Sequence, residues 1–206
     1  MNRQEVREPK QKRSIEKKQR IIKASYKLFC DKGFYKTNTV EIAQAAGVST
    51  GIVYSYFQDK TDILIAVIEF YIASLFAQFH PLLSAPIKPT ALTGMIEQFI
   101  DISVASHTMN VEAHNEFLAL ALLEKDIYTL FNQFEENLLA QLYELLAAAG
   151  VSKKNLLEKV RICYLIVEQV CHDYIQRRPS LGEFEITKSL TIHAILAVLE
   201  ENEAKP

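Results

Sequence analysis

Tryptophan is absent from this 206-residue chain, and glycine, proline, cysteine and methionine are scarce, at six, six, three and three. So few glycines and prolines leave few obligatory turns, which argues against a fold of many short strands and predicts long helices. The cysteine count is odd, and Cys30, Cys163 and Cys171 show no C-x-x-C metal spacing. On one helix, Cys163 and Cys171 would stand about 12 Å apart along the axis, too far for a disulfide. All three are expected to behave as small buried hydrophobes in a reducing compartment. The amino terminus is charged where a secretory leader needs an apolar stretch. No uninterrupted apolar run approaches the roughly 18 residues of a membrane span. These absences predict a soluble, cytoplasmic protein with no membrane partner. Also missing are a strand-linked Gly-rich phosphate loop, a clustered metal-ligand set and a nucleophile elbow. Ser, His and Asp are scattered without a recognisable constellation. The reading is therefore of a non-enzyme with no cofactor and no metal.

What is present is apolar and unevenly charged. Hydrophobic residues make up 49% of the chain, enough for a substantial core, with disorder confined to the ends. The net charge of −2 hides a polarity: residues 1–60 carry 13 Lys/Arg against 6 Asp/Glu, and the remaining 146 carry 10 against 19. A basic head on an acidic body suggests that one end meets a polyanion and the other does not.

Helical periodicity runs through the chain from about Ser14. Residues 1–13 are polar and basic and read as a flexible arm. Arg3, Arg7, Lys10, Lys12 and Arg13, followed by Lys17, Lys18, Arg20 and Lys23, either reach phosphates or a minor groove or form a solvated tail. Ile15, Ile21, Ile22, Ala24, Leu28 and Phe29 make the first apolar stripe, and Gly33 stops that helix. Asn38 opens the next, with Glu41 three residues on completing a capping box. Ile42, Ala43 and Ala46 face inward and Gly47 ends it. Ser49 caps a third, short helix through Ile52, Val53, Tyr54 and Phe57. A fourth begins near Lys60 or Thr61 and reaches about His80, where Pro81, Pro86 and Pro89 fence off a loop. Further helices are expected over roughly 91–107, 111–123, 127–149, 153–177 and 185–202, with Gly150, Pro179 and Gly182 as punctuation. The expected fold is all-α, about nine helices, divided as arm 1–13, head 14–60 and larger helical body 61–206.

Residues 38–57, N-T-V-E-I-A-Q-A-A-G-V-S-T-G-I-V-Y-S-Y-F, have the grammar of a helix-turn-helix. Small inner residues let the two helices approach closely, Gly47 takes the turn, and Val48 plugs the angle. The second helix starts with Ser49, Thr50 and Gly51, leaving room for DNA. The longer stretch from Gly33 to Lys60 resembles the TetR family of bacterial regulators. That family's pattern is G-[YF], three helices, then Y-x-[YF]-F-x-x-K into helix 4, and the match covers about residues 14–70. The resemblance implies a homodimeric, DNA-binding transcriptional regulator that reads a palindromic operator.

It also assigns positions. Asn38 and Thr39 stand at a helix N-terminus where a phosphate can be held. Ser49, Thr50, Gly51, Ile52 and Tyr54 lie on the exposed start of the recognition helix, facing base edges, while Tyr56 and Lys60 match phosphate-contacting positions. Val53 and Phe57 fall on the inner side as core. Many relatives carry Lys where this chain has Thr50, and Thr or Ser where it has Ile52. With no Arg or Lys on that helix, the usual guanine readers are missing. Thr and Ile side chains suit thymine methyls, so A·T-rich contacted bases are expected.

Family members mostly repress, and their bodies usually bind a small molecule that alters the spacing of the two heads. Such a hydrophobic effector would be lined by aromatics, with Phe76, Phe99, His107, Phe117 and Phe131 as candidates, although core packing competes for residues at this spacing. His107, His114 and Glu116 lie near a helix–helix turn and offer polar groups, but the two histidines lack the close helical spacing of a preformed metal site. The competing reading is a regulator without a small-molecule ligand, whose acidic body docks another protein. The last two helices are apolar most of the way round, which predicts a dimer seam, here Ile166, Val170, Tyr174, Ile192, Ile195 and Leu199.

Overall fold

A computed structural model of the chain describes residues 11–85 and 89–200; residues 1–10, most of the expected basic arm, lie outside the described residues, as do 201 and 202 at the expected end of the last helix. Among the described residues there are nine α-helices and no strand: α1 (Lys12–Lys32), α2 (Thr39–Ala46), α3 (Thr50–Tyr56), α4 (Lys60–Leu83), α5 (Leu92–Met109), α6 (Val111–Leu123), α7 (Lys125–Ala148), α8 (Leu156–Arg177) and α9 (Leu181–Glu200). A single 3₁₀ turn, Pro89–Ala91, precedes α5.

The helices sort into two compact units. The first comprises residues up to Ser74 together with Glu112–Phe131, and the second Leu75–Val111 together with Asn132 onward. The first unit is centred on Ile21, Phe29, Ile42, Val53, Ile63, Leu64, Ile68 and Phe117, each with essentially no solvent exposure. Burying one such side chain contributes about 1.5–3 kcal/mol. The second is centred on α5, the far part of α7, α8 and α9, with Ile100, Leu138, Leu139, Leu156, Val160, Val167 and Cys171 innermost.

Three sequence expectations need correction. Pro81 does not close α4 but sits inside it. A proline there forfeits only one helical bond, and buried Leu82 anchors the final turn in the core. Gly182 likewise lies within α9 rather than before it. The missed signal was Ser180 with Glu183. The Glu183 carboxylate accepts from the Ser180 N–H at 2.8 Å, and Ser180 Oγ accepts from the Glu183 N–H at 3.4 Å, a capping box four residues earlier than periodicity suggested. Finally, α4 is long and apolar enough to cross a membrane by length and composition, with an 18-residue window of mean hydropathy 1.7. Its first half supplies Ile63, Leu64, Val67 and Ile68 to the first unit's core along one stripe.

Candidate nucleic-acid interface

The turn between α2 and α3 is fixed by caps on both sides. Asn38 Oδ1 accepts from the N–H groups of Val40 and Glu41, both at 3.0 Å, and Glu41 Oε2 accepts from the Asn38 N–H at 3.2 Å. The reciprocal pair satisfies donors that a helix start otherwise leaves orphaned. Lys32 donates to Glu41 Oε1 at 2.7 Å, and this hydrogen bond, with that of the Asn38 N–H, holds the Glu41 carboxyl below the usual carboxylate range. Gly47 then turns left-handed, at φ 64° and ψ 41°, a conformation that costs residues with a Cβ about 1 kcal/mol or more. Ser49 caps α3 by accepting from the Ile52 N–H.

This framework turns a narrow polar face outward. Ser49 and Gly51 are exposed, Thr50 and Ile52 half-buried, and Tyr54 is 50% exposed while its neighbour Val53 is sealed in the core. The Tyr54 hydroxyl lies 3.0 Å from Thr39 Oγ1, so the two helices share one hydrogen-bonded ridge rather than presenting separate side chains. Asn38 is exposed and Thr39 and Tyr56 half-buried. The structure thus brings the candidate residues of α2 and α3 together. Next to them it exposes Val40 (62%), to which the sequence analysis gave no role.

Lys60 has a second occupation. Its Nζ donates to the carbonyls of Phe34 and Thr37 at 2.9 and 3.0 Å and lies 4.3 Å from the centre of the Phe34 ring. Two of the three ammonium donors are therefore committed to the loop between α1 and α2, and one is left for a phosphate. The other side of this loop is held from a distant part of the chain. The Phe34 N–H donates to Glu116 Oε1 on α6 at 2.6 Å, and the Tyr35 hydroxyl donates to Glu124 Oε1 at 3.0 Å. Gly33, at φ 84°, is where Glu116 comes close: a Cβ there would stand 3.2 Å from Oε1.

The candidate effector residues separate. Phe117 is fully buried in the first unit, ringed by Tyr26 and Tyr71 at centroid distances of 6.0 and 5.1 Å, and Phe131 meets Tyr71 at 6.4 Å. Phe76, Phe99 and His107 belong to the second unit. That unit contains an almost wholly apolar cavity of about 40 Å³, lined by residues including Met95, Phe99, Leu142, Val160, Tyr164 and Ile195. Phe99 alone among the five candidates reaches it.

Two seam residues are also placed differently from expectation. Ile195 and Leu199 are 3% and 4% exposed and line the same cavity, because α9 turns Phe184, Thr191, Ile195 and Leu199 inward. Ile166, Val170, Tyr174 and Ile192 are half-buried. The large apolar side chains left outward on these helices include Ile162 and Leu165 of α8 and Ile186 and Leu190 of α9, between 48% and 65% exposed. An all-round apolar pattern gives no indication of which side faces the chain's own core.

Comparison with known proteins adds an independent line. Residues 21–67 match the family described as bacterial regulatory proteins, tetR family. The chain is 51% identical over 49 residues to the HTH-type transcriptional regulator HbdR of Aromatoleum sp. (strain CIB), covering 24% of this chain and 21% of that protein. It is 34% identical over 116 residues to the HTH-type regulator YerO of Bacillus subtilis (strain 168), covering 54% of this chain and 37% of YerO. The aligned part thus spans between a fifth and two fifths of the length of these relatives. Among solved structures, a TetR-family regulator from Mesorhizobium loti MAFF303099 superposes with a TM-score of 0.73 at 19% identity, over 91% of this chain and 98% of the other, a likeness of fold.

Proposed function

The chain belongs to the TetR family of bacterial regulatory proteins, and from that premise we propose that it is a cytoplasmic, homodimeric DNA-binding transcriptional regulator, a repressor released by a small molecule. The observation that carries the reading is the face formed by Ser49, Thr50, Gly51, Ile52 and Tyr54. It is small and open at its start, carried on a doubly capped turn, and braced by the Thr39–Tyr54 contact. Such a face suits the major groove, with Asn38, Thr39, Tyr56 and the spare donor of Lys60 toward the phosphates. The outward apolar residues of α8 and α9 support a second copy of the chain as the covering surface. Two heads related by a two-fold axis would then meet half-sites about 34–36 Å apart.

An effector acts by favouring one head spacing over another, through its differential affinity for the two states. The second unit's cavity is apolar, in keeping with a hydrophobic ligand. Its volume of about 40 Å³ is far below the roughly 300–1,000 Å³ of ordinary ligand sites. A small-molecule effector therefore has to repack this unit as it enters. The same small volume favours a second reading, in which the regulator answers to a protein partner and has no small-molecule ligand.

The test is selection from a random double-stranded DNA pool at moderate salt, where specific complexes outlast non-specific ones. The expected result is an enriched palindrome whose contacted bases are mainly A·T, because the recognition helix offers methyl groups and hydroxyls rather than a guanidinium or ammonium. Enrichment of G·C-contacted sites would overturn the base preference. No enrichment at all would overturn the assignment of the head as a ligand-independent DNA reader. The enriched operator also separates the two modes of control, since small apolar molecules either release it from the protein or do not.

A further inference from the structure

Within the second unit, α5 and α8 bring together side chains that the apolar reading of α8 had hidden. His107 Nδ1 lies 2.8 Å from the Ser103 carbonyl oxygen. A carbonyl only accepts, so Nδ1 carries a proton and Nε2 points the other way. Nε2 is 3.4 Å from Glu168 Oε2, and His172 Nε2 is 4.0 Å from the same oxygen. The two imidazole rings meet edge to face at 5.4 Å, and their ligand nitrogens lie within 4.8 Å of each other. Cys171, fully buried, lies beside His107. Glu168, Cys171 and His172 stand at i, i+3 and i+4 of one helix, a spacing that places them on one face.

We propose that His107, Glu168 and His172, with Cys171 beside them, form a binding site for a divalent first-row transition cation of the zinc type. Nitrogen, sulfur and carboxylate donors in one buried cluster are the set such ions prefer. Around a tetrahedral ion with bonds of about 2.1 Å, donor atoms sit about 3.4 Å apart. The His107–Glu168 pair already has that separation, and His172 must close by roughly 0.6 Å (from 4.0 Å to that spacing). The Ser103 carbonyl behind His107 is the kind of outer partner that fixes a ligating imidazole in the right tautomer. The site stands independently of the DNA-binding assignment.

The test uses the full chain freed of metal by a chelator and titrated with Zn²⁺, then with Co²⁺ as a spectroscopic probe. The expected result is one ion per chain and a Co²⁺ spectrum of tetrahedral intensity. His107→Gln and His172→Gln should each weaken Zn²⁺ binding tenfold or more, and Cys171→Ser should alter the sulfur-to-cobalt band. His80→Gln, a change at an exposed histidine on α4, should leave binding unchanged. Less than one ion per chain, an octahedral Co²⁺ spectrum, or equal loss in His80→Gln would overturn the proposal. If a substituted chain fails to fold, the Co²⁺ spectrum of the unaltered protein decides alone.

Discussion

Removing the ammonium of Lys60 tests whether this residue works for the fold, for DNA, or for both. In Lys60→Met the stem is retained and the two hydrogen bonds to the Phe34 and Thr37 carbonyls, at 2.9 and 3.0 Å, are lost. Hydrogen bonds to a charged group contribute about 1.5–3 kcal/mol each. Two bonds sharing one half-exposed ammonium are not additive, so roughly 2–3 kcal/mol in total is a fair magnitude. The contact with the Phe34 ring at 4.3 Å falls within that figure. In a chain of this length each kcal/mol moves the midpoint by about 2–4 °C. Lys60→Met should therefore melt about 4–12 °C lower by far-UV circular dichroism. Because the acceptors are carbonyls rather than carboxylates, adding salt should not erase the difference. DNA binding provides the second axis. If the remaining donor meets a phosphate, the salt slope for operator binding falls by about one, uniformly across sequences. A change in midpoint below about 1 °C would refute the structural role. A lowered midpoint with an unchanged salt slope would refute the phosphate contact and leave Lys60 as a brace.

Two further outcomes follow from the geometry. Phe117→Ala should destabilise the chain by about 3–5 kcal/mol through the cavity left in a fully buried aromatic cluster; a loss below about 1 kcal/mol in urea titration would mean that the site tolerates space, as a ligand pocket does. Leu165→Glu together with Leu190→Glu places charges on the outward faces of α8 and α9, and sedimentation should show monomers where the unaltered chain sediments as a dimer. Unchanged dimers would move the seam elsewhere.

Signals that act within a few residues were legible in the sequence. The Asn38–Glu41 capping box, the left-handed Gly47 and the Ser49 cap appear as read, because each depends on two or three neighbouring residues. Tyr54 is exposed while Val53 and Phe57 are buried, as the positions assigned by the resemblance implied. What escaped depends on partners far along the chain. Lys60 could be matched to a phosphate-contacting position, but its bonds to Phe34 and Thr37 arise from the folding of the intervening helices. In α8 and α9 the apolar content is high on every side, so phase could not separate the cavity-lining Ile195 from the outward Leu190. The polar cluster on α8 was missed because Glu168, Cys171 and His172 sit in a helix that was read for its apolar residues, and their partner His107 lies on α5.

The bonds from Glu116 to Phe34 and from Glu124 to Tyr35 have a consequence for modularity. Residues 1–60 look transplantable, yet the loop that carries Phe34 and Tyr35 is finished by acceptors more than 80 positions later in the same compact unit. During synthesis the first three helices emerge well before α6, and the unit cannot close until the ribosome has passed residue 131. A chimera made by cutting at residue 60 would carry the recognition helix but leave the Phe34 N–H to water. One that keeps residues 112–131 with the first 74 would carry the complete unit.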